Sequence, residues 1–156
     1  MKAKRMSIGA AGALFALLSL LLFVAACNGD DGDADPMATE PAAAETSVDV
    51  RLIEFAVELS VDSVPAGTVT FNTSSEGAIF HNVKVIATDL APDALPIDDA
   101  LFAVDEEQVD VVASTADLDP GEQETLTVEL AAGSYVLICN IPGHYEGGMA
   151  TAFTVE

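Results

Sequence analysis

Three side chains with metal-binding chemistry lie in one short segment near the end of the chain. Cys139, His144 and Met149 follow one another at intervals of five residues, within the sequence CNIPGHYEGGM. A thiolate, an imidazole and a thioether form a soft donor set that suits copper in two oxidation states, whereas zinc and harder ions gain little from a thioether. The segment predicts a copper site if a second imidazole is available.

The only other histidine in the sequence is His81. It alternates with the apolar residues Ile79, Val83 and Val85, which is typical of a strand with one buried face. We therefore expect the imidazole of His81 to point inward.

The same alternation places the other donors on buried faces. Cys139 shares a face with Tyr135 and Leu137, and Met149 is in phase with Phe153 in the final strand. Taken singly, each donor is typical of a protein core. A histidine there usually has hydrogen-bond partners, a cysteine is usually an unreactive buried thiol, and a methionine usually fills space. Together they predict that all four converge at one end of a sandwich.

Short strands separated by regular turn signals extend over most of the chain. Pro-Gly and Ala-Gly turns separate apolar runs, and no long amphipathic helix is indicated, so an all-β sandwich or barrel is predicted. The alternation changes phase at Leu52 and Ile53, which indicates a bulge or bend. Residues 88–117 interrupt the pattern, and we expect a short helix at 98–104 and a strand at 109–112. Tyr135 is predicted to bond to backbone at a strand end.

The first 26 residues resemble a bacterial export signal. A basic start and an apolar run precede the sequence VAAC, which resembles a lipobox, so we expect cleavage before Cys27 and acylation of its thiol. An uncleaved anchor over residues 8–26 is the alternative, and a Cys27–Cys139 disulfide is disfavoured because acylation would consume Cys27. Residues 27–45 then form a disordered acidic tether. Both the acylated Cys27 and an uncleaved segment 8–26 would place residues 46–156 outside the cytoplasm of a bacterial cell.

The composition limits both the number of domains and the partners. A chain of 156 residues accommodates one domain. Acidic residues outnumber Lys and Arg by 26 to 5, and the formal net charge is −21. Such a charge repels nucleic acid, which we exclude as a partner, and favours solubility and basic partners.

The order of His, then Cys, His and Met in a loop between the last two strands resembles the cupredoxin family of plastocyanin- and azurin-like proteins, near the auracyanins and sulfocyanins. The resemblance covers about residues 48–156 and is strongest over 139–149. It implies a Greek-key β-sandwich with one type 1 blue-copper ion. The implied ligands are His81, Cys139 and His144 in a trigonal set with a long axial Met149. Asn82 is implied to tie the two ligand loops together near the sulfur.

The resemblance further implies an electron carrier, not an enzyme. The exposed edge of His144, ringed by Ile141, Pro142 and Tyr145, would be the face that docks redox proteins such as cytochromes or an oxidase, with the carrier a monomer. A multicopper enzyme is excluded because two histidines cannot supply further copper sites. An extracytoplasmic copper carrier that delivers the metal to an oxidase stays open as the alternative.

Overall fold

The structure is a computed structural model that describes residues 45–156. The predicted export signal, Cys27 and all of the acidic tether except Glu45 lie outside the described residues. Within the described part there is no helix long and apolar enough to cross a membrane.

All regular structure between residues 45 and 156 is β-strand. The strands are β1 (Thr46–Ile53), β2 (Ala56–Leu59), β3 (Ser63–Val64), β4 (Gly67–Ser75), β5 (Lys84–Ala87), β6 (Ile97–Asp98), β7 (Ala103–Val104), β8 (Asp110–Ser114), β9 (Gln123–Leu130), β10 (Gly133–Ile138) and β11 (Ala150–Val155).

The strands form two mixed sheets and a small hairpin. One sheet has the order β2-β1-β4-β9, the other has the order β3-β11-β10-β5-β8, and β6 pairs with β7. Within the sheets β1 and β4 are parallel, as are β3 and β11, and the other pairs are antiparallel. The predicted all-β Greek-key sandwich is confirmed.

Of the bulge or bend predicted at Leu52 and Ile53, the structure has the bend, which is a hairpin directly after Ile53. Strands β1 and β2 pair from Ile53 opposite Ala56, so that Glu54 and Phe55 alone form the connecting turn. Because Leu52 also lies opposite Ser75, the last residue of β4, the hairpin tip stands beside the chain that leads to His81.

The main core lies between the two sheets. Strands β1 and β4 each bury alternate residues, as the period-two pattern predicts. Phe71 and Phe153 meet edge to face at its centre, with ring centroids 5.4 Å apart. Cys139 and Met149 belong to this same apolar cluster.

Residues 88–109 cover the outer face of the second sheet. Leu95 and Val104 pack there against Val136 and Ile138, so β10 is buried on both faces. The helix predicted at 98–104 is wrong, since β6 and β7 form a hairpin in its place. The strand predicted at 109–112 is confirmed as β8, shifted toward Ser114.

Two tyrosine hydroxyls bond to backbone. Tyr135 donates to the carbonyl of Ala131 at 2.9 Å, as predicted. Tyr145 accepts the buried N–H of Leu95 at 2.9 Å and so attaches the covering segment to the loop that follows β10.

We predict that Tyr145→Phe destabilises the protein by about 1–3 kcal/mol, because the N–H of Leu95 loses its partner while the ring still fills its place. Urea unfolding of the metal-free protein measures this change, and Tyr135→Phe is the matched control for loss of a hydroxyl at the other end of the sheet. Equal stability of Tyr145→Phe and the unmodified protein would contradict the prediction.

Candidate metal centre

His81 lies in an extended segment between β4 and β5. Its N–H donates to the carbonyl of Leu118 at 3.0 Å and its own carbonyl accepts from Leu118 at 2.7 Å, which forms an isolated bridge. The imidazole is fully buried, as are Val83 and Val85, so the inward direction is confirmed. Ile79 is 44% exposed, and its predicted place on the same buried face is wrong because β5 begins only at Lys84.

The loop between β10 and β11 holds the other three predicted donors. Its two ends are joined where Cys139 N–H donates to the carbonyl of Met149 at 3.0 Å. Met149 N–H in turn donates to the carbonyl of His144 at 3.1 Å. Gly148 has a φ of 107°, which a residue with a side chain rarely adopts, and this turn returns the chain to Met149.

Three of the four predicted donors lie close together. Cys139 Sγ is 3.4 Å from His144 Nδ1, and the ring centroids of His81 and His144 are 5.1 Å apart. A thiolate and an imidazole that share one tetrahedral metal ion stand roughly 3.5 Å apart, given bonds of about 2.3 and 2.1 Å. The donor set and the separation of its sulfur and nitrogen atoms therefore fit a soft metal ion.

The two ring nitrogens of His81 have different surroundings. Its Nδ1 lies 3.3 Å from Ser75 Oγ, and its Nε2 is buried without a hydrogen-bond partner. Within residues 45–156, no group of three His, Cys, Asp or Glu side chains stands ready to hold a metal ion. Met149 is fully buried in the cluster that contains Cys139.

Asn82 connects the two ligand segments. Its N–H points at Cys139 Sγ at 3.5 Å, and its Oδ1 accepts the N–H of Asn140 at 2.9 Å. Its Nδ2 donates to Asp117 at 2.8 Å. These contacts place a backbone donor beside the sulfur and fix the distance between the segments that carry His81 and Cys139.

Asn140 ties the same loop to the covering segment, a role that the sequence did not reveal. Its Oδ1 accepts the N–H of Val104 at 2.7 Å and its Nδ2 donates to the Val104 carbonyl at 3.1 Å. The only sequence signal is a polar residue directly after the cysteine, which does not identify a partner 36 positions away.

Burial determines the protonation of the donors. It lowers the pKa of His81 and His144 below the usual histidine value, so both rings are neutral at pH 7 and have a free nitrogen lone pair. It raises the pKa of the Cys139 thiol, although the Asn82 N–H opposes this effect. A metal ion that binds here must therefore displace the thiol proton.

The surface around His144 differs from the predicted ring of residues. Ile141 and Tyr145 are buried, and only Pro142 is exposed. Phe55, which is 55% exposed, lies edge-on to the His144 ring at a centroid distance of 6.1 Å. Sequence reasoning missed Phe55 because a bulge or bend at Leu52 and Ile53 does not by itself indicate a hairpin that brings position 55 to this surface.

Comparison with known proteins identifies the family. Residues 57–156, more than half of the chain, match the model of the Sulfocyanin (SoxE) domain. The chain belongs to the sulfocyanin family of cupredoxins. Cupredoxins of this kind are blue-copper electron-transfer proteins.

Relatives and solved structures agree with this placement. Auracyanin-B of Chloroflexus aurantiacus is 41% identical over 58 residues, which are 36% of this chain and 25% of that protein. This sulfocyanin-family chain therefore aligns with about a quarter of that relative. Reduced auracyanin from Roseiflexus castenholzii superimposes with a TM-score of 0.53 at 28% identity, covering 73% of this chain and 98% of that structure. Reduced rusticyanin, at 21% identity and a TM-score of 0.52, shares the fold and covers 73% of this chain and 81% of that one.

Proposed function

We propose that the chain binds one copper ion through His81, Cys139, His144 and Met149 and transfers single electrons through it. The observation that carries the proposal is the buried pair of Cys139 Sγ and His144 Nδ1, 3.4 Å apart, with the N–H of Asn82 directed at the sulfur. Related auracyanin A is described as a "blue" copper protein, which supports the choice of metal.

Copper bound by these residues supplies a one-electron couple. The protein's part is to hold a thiolate, two neutral imidazoles and a thioether in a dry, hydrogen-bonded site. Backbone bonds across the loop keep Cys139, His144 and Met149 in place. Four protein donors occupy the positions around one copper ion and leave none vacant for a substrate. Electron transfer therefore occurs by outer-sphere contact, and the protein is not an enzyme.

We propose that electrons enter and leave on the His144 side. His144 is 6% exposed and lies beneath Phe55, while the exposed Phe102 joins the same loop through its carbonyl, which accepts the N–H of Gly143 at 2.6 Å. Apolar side chains at this end permit close approach of a redox protein, and the acidic remainder of the surface favours a partner that is basic at its contact face.

The location is part of the same proposal. Acylation of Cys27 would hold the domain, as a monomer, on the extracytoplasmic face of a bacterial membrane, where residues 27–45 let it reach redox proteins such as cytochromes or an oxidase. Support comes from the VAAC sequence and the acidic, Gly- and Ala-rich composition that follows it.

A copper carrier, which would deliver the metal to an oxidase, is the second candidate. The same four side chains would bind copper in such a protein. Within residues 45–156 no group of three His, Cys, Asp or Glu side chains is already arranged to hold a metal ion. This favours the copper carrier, because a site that reorganises on loading releases its metal more readily. Burial of all four donors favours the electron carrier, since it slows exchange of copper with outside ligands.

Cyclic voltammetry combined with copper transfer to an excess of a Cu(I) chelator separates the two functions. For an electron carrier we expect a reversible one-electron wave, with copper retained over many cycles. Rapid, complete loss of copper to the chelator during the same cycles would contradict electron transfer and support metal delivery.

A further inference from the structure

The turn between β1 and β2 brings a carboxylate to the candidate copper centre. We propose that Glu54 is a positioning residue for His81 and that its negative charge favours Cu(II) over Cu(I), an inference that rests on the proposed copper site. Glu54 belongs to neither ligand segment and lies 27 positions before His81 in the sequence.

Glu54 holds the segment that leads to His81. Its Oε1 accepts the N–H of Ala78 at 2.7 Å and the N–H of Ile79 at 3.0 Å. Because these donors lie two and three residues before His81, the carboxylate fixes where the chain enters the site. Two backbone donors to one carboxylate oxygen favour the charged form of the Glu54 side chain.

The same oxygen faces the outer edge of the His81 ring. Glu54 Oε1 lies 3.9 Å from His81 Nε2, which is buried and has no hydrogen-bond partner. A half-turn of the ring exchanges Nε2 with Cε1, and Cε1 also lies on the side of Gly77 and Glu54. In both orientations the Nε2–Cε1 edge of the ring lies near the carboxylate.

Gly77 shows how closely these groups are packed. A Cβ atom at this position would lie 2.5 Å from Glu54 Oε1 and 2.5 Å from His81 Cε1. Such contacts do not occur without movement of one side chain. Glycine at position 77 thus allows the carboxylate and the imidazole to share one small space.

A carboxylate beside a metal-bound imidazole has two effects. It orients the ring and raises its basicity as a ligand. Its charge also stabilises the more positive copper ion, since unit charges a few ångströms apart near a protein surface interact appreciably. Both effects favour Cu(II) and lower the reduction potential.

Two substitutions separate the charge from the anchoring bonds. Glu54→Gln keeps an acceptor oxygen for Ala78 and Ile79 but removes the charge, whereas Glu54→Ala removes both. Glu129→Gln is the matched control, because it also removes one carboxylate. Glu129 lies in β9 opposite Thr68, at the end of β4 away from Ser75 and His81.

The test uses the full-length protein in detergent. In the copper-loaded form we expect Glu54→Gln to shift the reduction equilibrium toward Cu(I) about tenfold, which is an upward shift of about 59 mV for one electron. Glu129→Gln should leave the equilibrium within about twofold of the unmodified protein, because its charge is screened by solvent. In the metal-free form we expect amide exchange at Ala78 and Ile79 to be about tenfold faster in Glu54→Ala than in Glu54→Gln.

Either of two results overturns the inference and leaves the copper site unaffected. One is a reduction potential of Glu54→Gln equal to that of Glu129→Gln. The other is an equal rate of amide exchange at Ala78 and Ile79 in Glu54→Ala and Glu54→Gln. If the unmodified protein forms no coloured copper centre, the proposed function fails instead. The exchange measurement on the metal-free protein then still decides whether Glu54 positions the segment before His81.

Discussion

Replacing Cys139 with serine is expected to abolish the intense visible absorption of the copper-loaded protein. The absorption of a blue-copper centre comes from its thiolate, and Cys139 is the only cysteine among the described residues. A serine hydroxyl is a harder and weaker donor than a thiolate. Copper affinity should therefore fall by more than about 100-fold, which exceeds the loss typical of removing a residue that only hydrogen-bonds to a metal ligand. Visible spectroscopy and a copper titration measure both changes.

The matched control for Cys139→Ser is Met149→Leu. Leucine has nearly the volume of methionine, and Met149 is fully buried, so the fold should tolerate the change at a cost below about 1.5 kcal/mol. The thiolate and both imidazoles persist in this variant, and its colour should persist with them. Retention of the full visible band in Cys139→Ser would refute the assignment of the sulfur ligand.

The second large effect is expected at Asn82. Asn82→Ala removes the acceptor for the N–H of Asn140 and the donor to Asp117, at 2.9 and 2.8 Å. An orphaned backbone donor should cost about 1–3 kcal/mol of unfolding free energy. Copper affinity should fall about 10- to 100-fold, because the segments that carry His81 and Cys139 are no longer tied. Urea unfolding and competition with a copper chelator measure the two losses.

Asn72→Ala is the control for the loss of an asparagine side chain. Asn72 Nδ2 donates to Ser47 Oγ at 2.9 Å on the exposed face of the first sheet. Its replacement should change stability by less than about 0.5 kcal/mol and leave copper affinity unchanged. The proposed role of Asn82 would be wrong if the two variants had equal copper affinities.

Sequence periodicity was sufficient to predict the ligand loop and the two-sheet core. Cys139, His144 and Met149 lie within a single turn-rich segment. Alternation also groups Cys139 with Tyr135 and Leu137, and Met149 with Phe153, in the core between the sheets, as predicted. Such local patterns persist in the fold because successive side chains of a strand point to opposite faces, so alternate residues of β1 and β4 enter the core.

The groups around the site could not be predicted in this way, because they are contacts between distant parts of the chain. Glu54 meets Ile79 over 25 positions and Asn140 meets Val104 over 36. No local pattern specifies these pairings, which depend on the parallel alignment of β1 with β4 and on the path of residues 88–111. The predicted bulge or bend did not specify the hairpin at Glu54 and Phe55, which brings both side chains to the proposed copper end.

The error at residues 98–104 has a related cause. Asp98 to Val104 has the composition of a short helix, but Val104 packs against Val136 and Ile138 on the outer face of β10. An extended β7 presents Val104 to that face and exposes its backbone to the side chain of Asn140. Tertiary contacts thus override the local preference.

The most direct test of the central claim is the visible absorption and electron paramagnetic resonance spectrum of residues 46–156 loaded with one equivalent of Cu(II). The proposed donor set predicts an intense thiolate-to-copper band and the narrow copper hyperfine splitting of a type 1 centre. A colourless protein, or one with an ordinary tetragonal copper spectrum, would contradict the claim that His81, Cys139, His144 and Met149 converge on one copper ion.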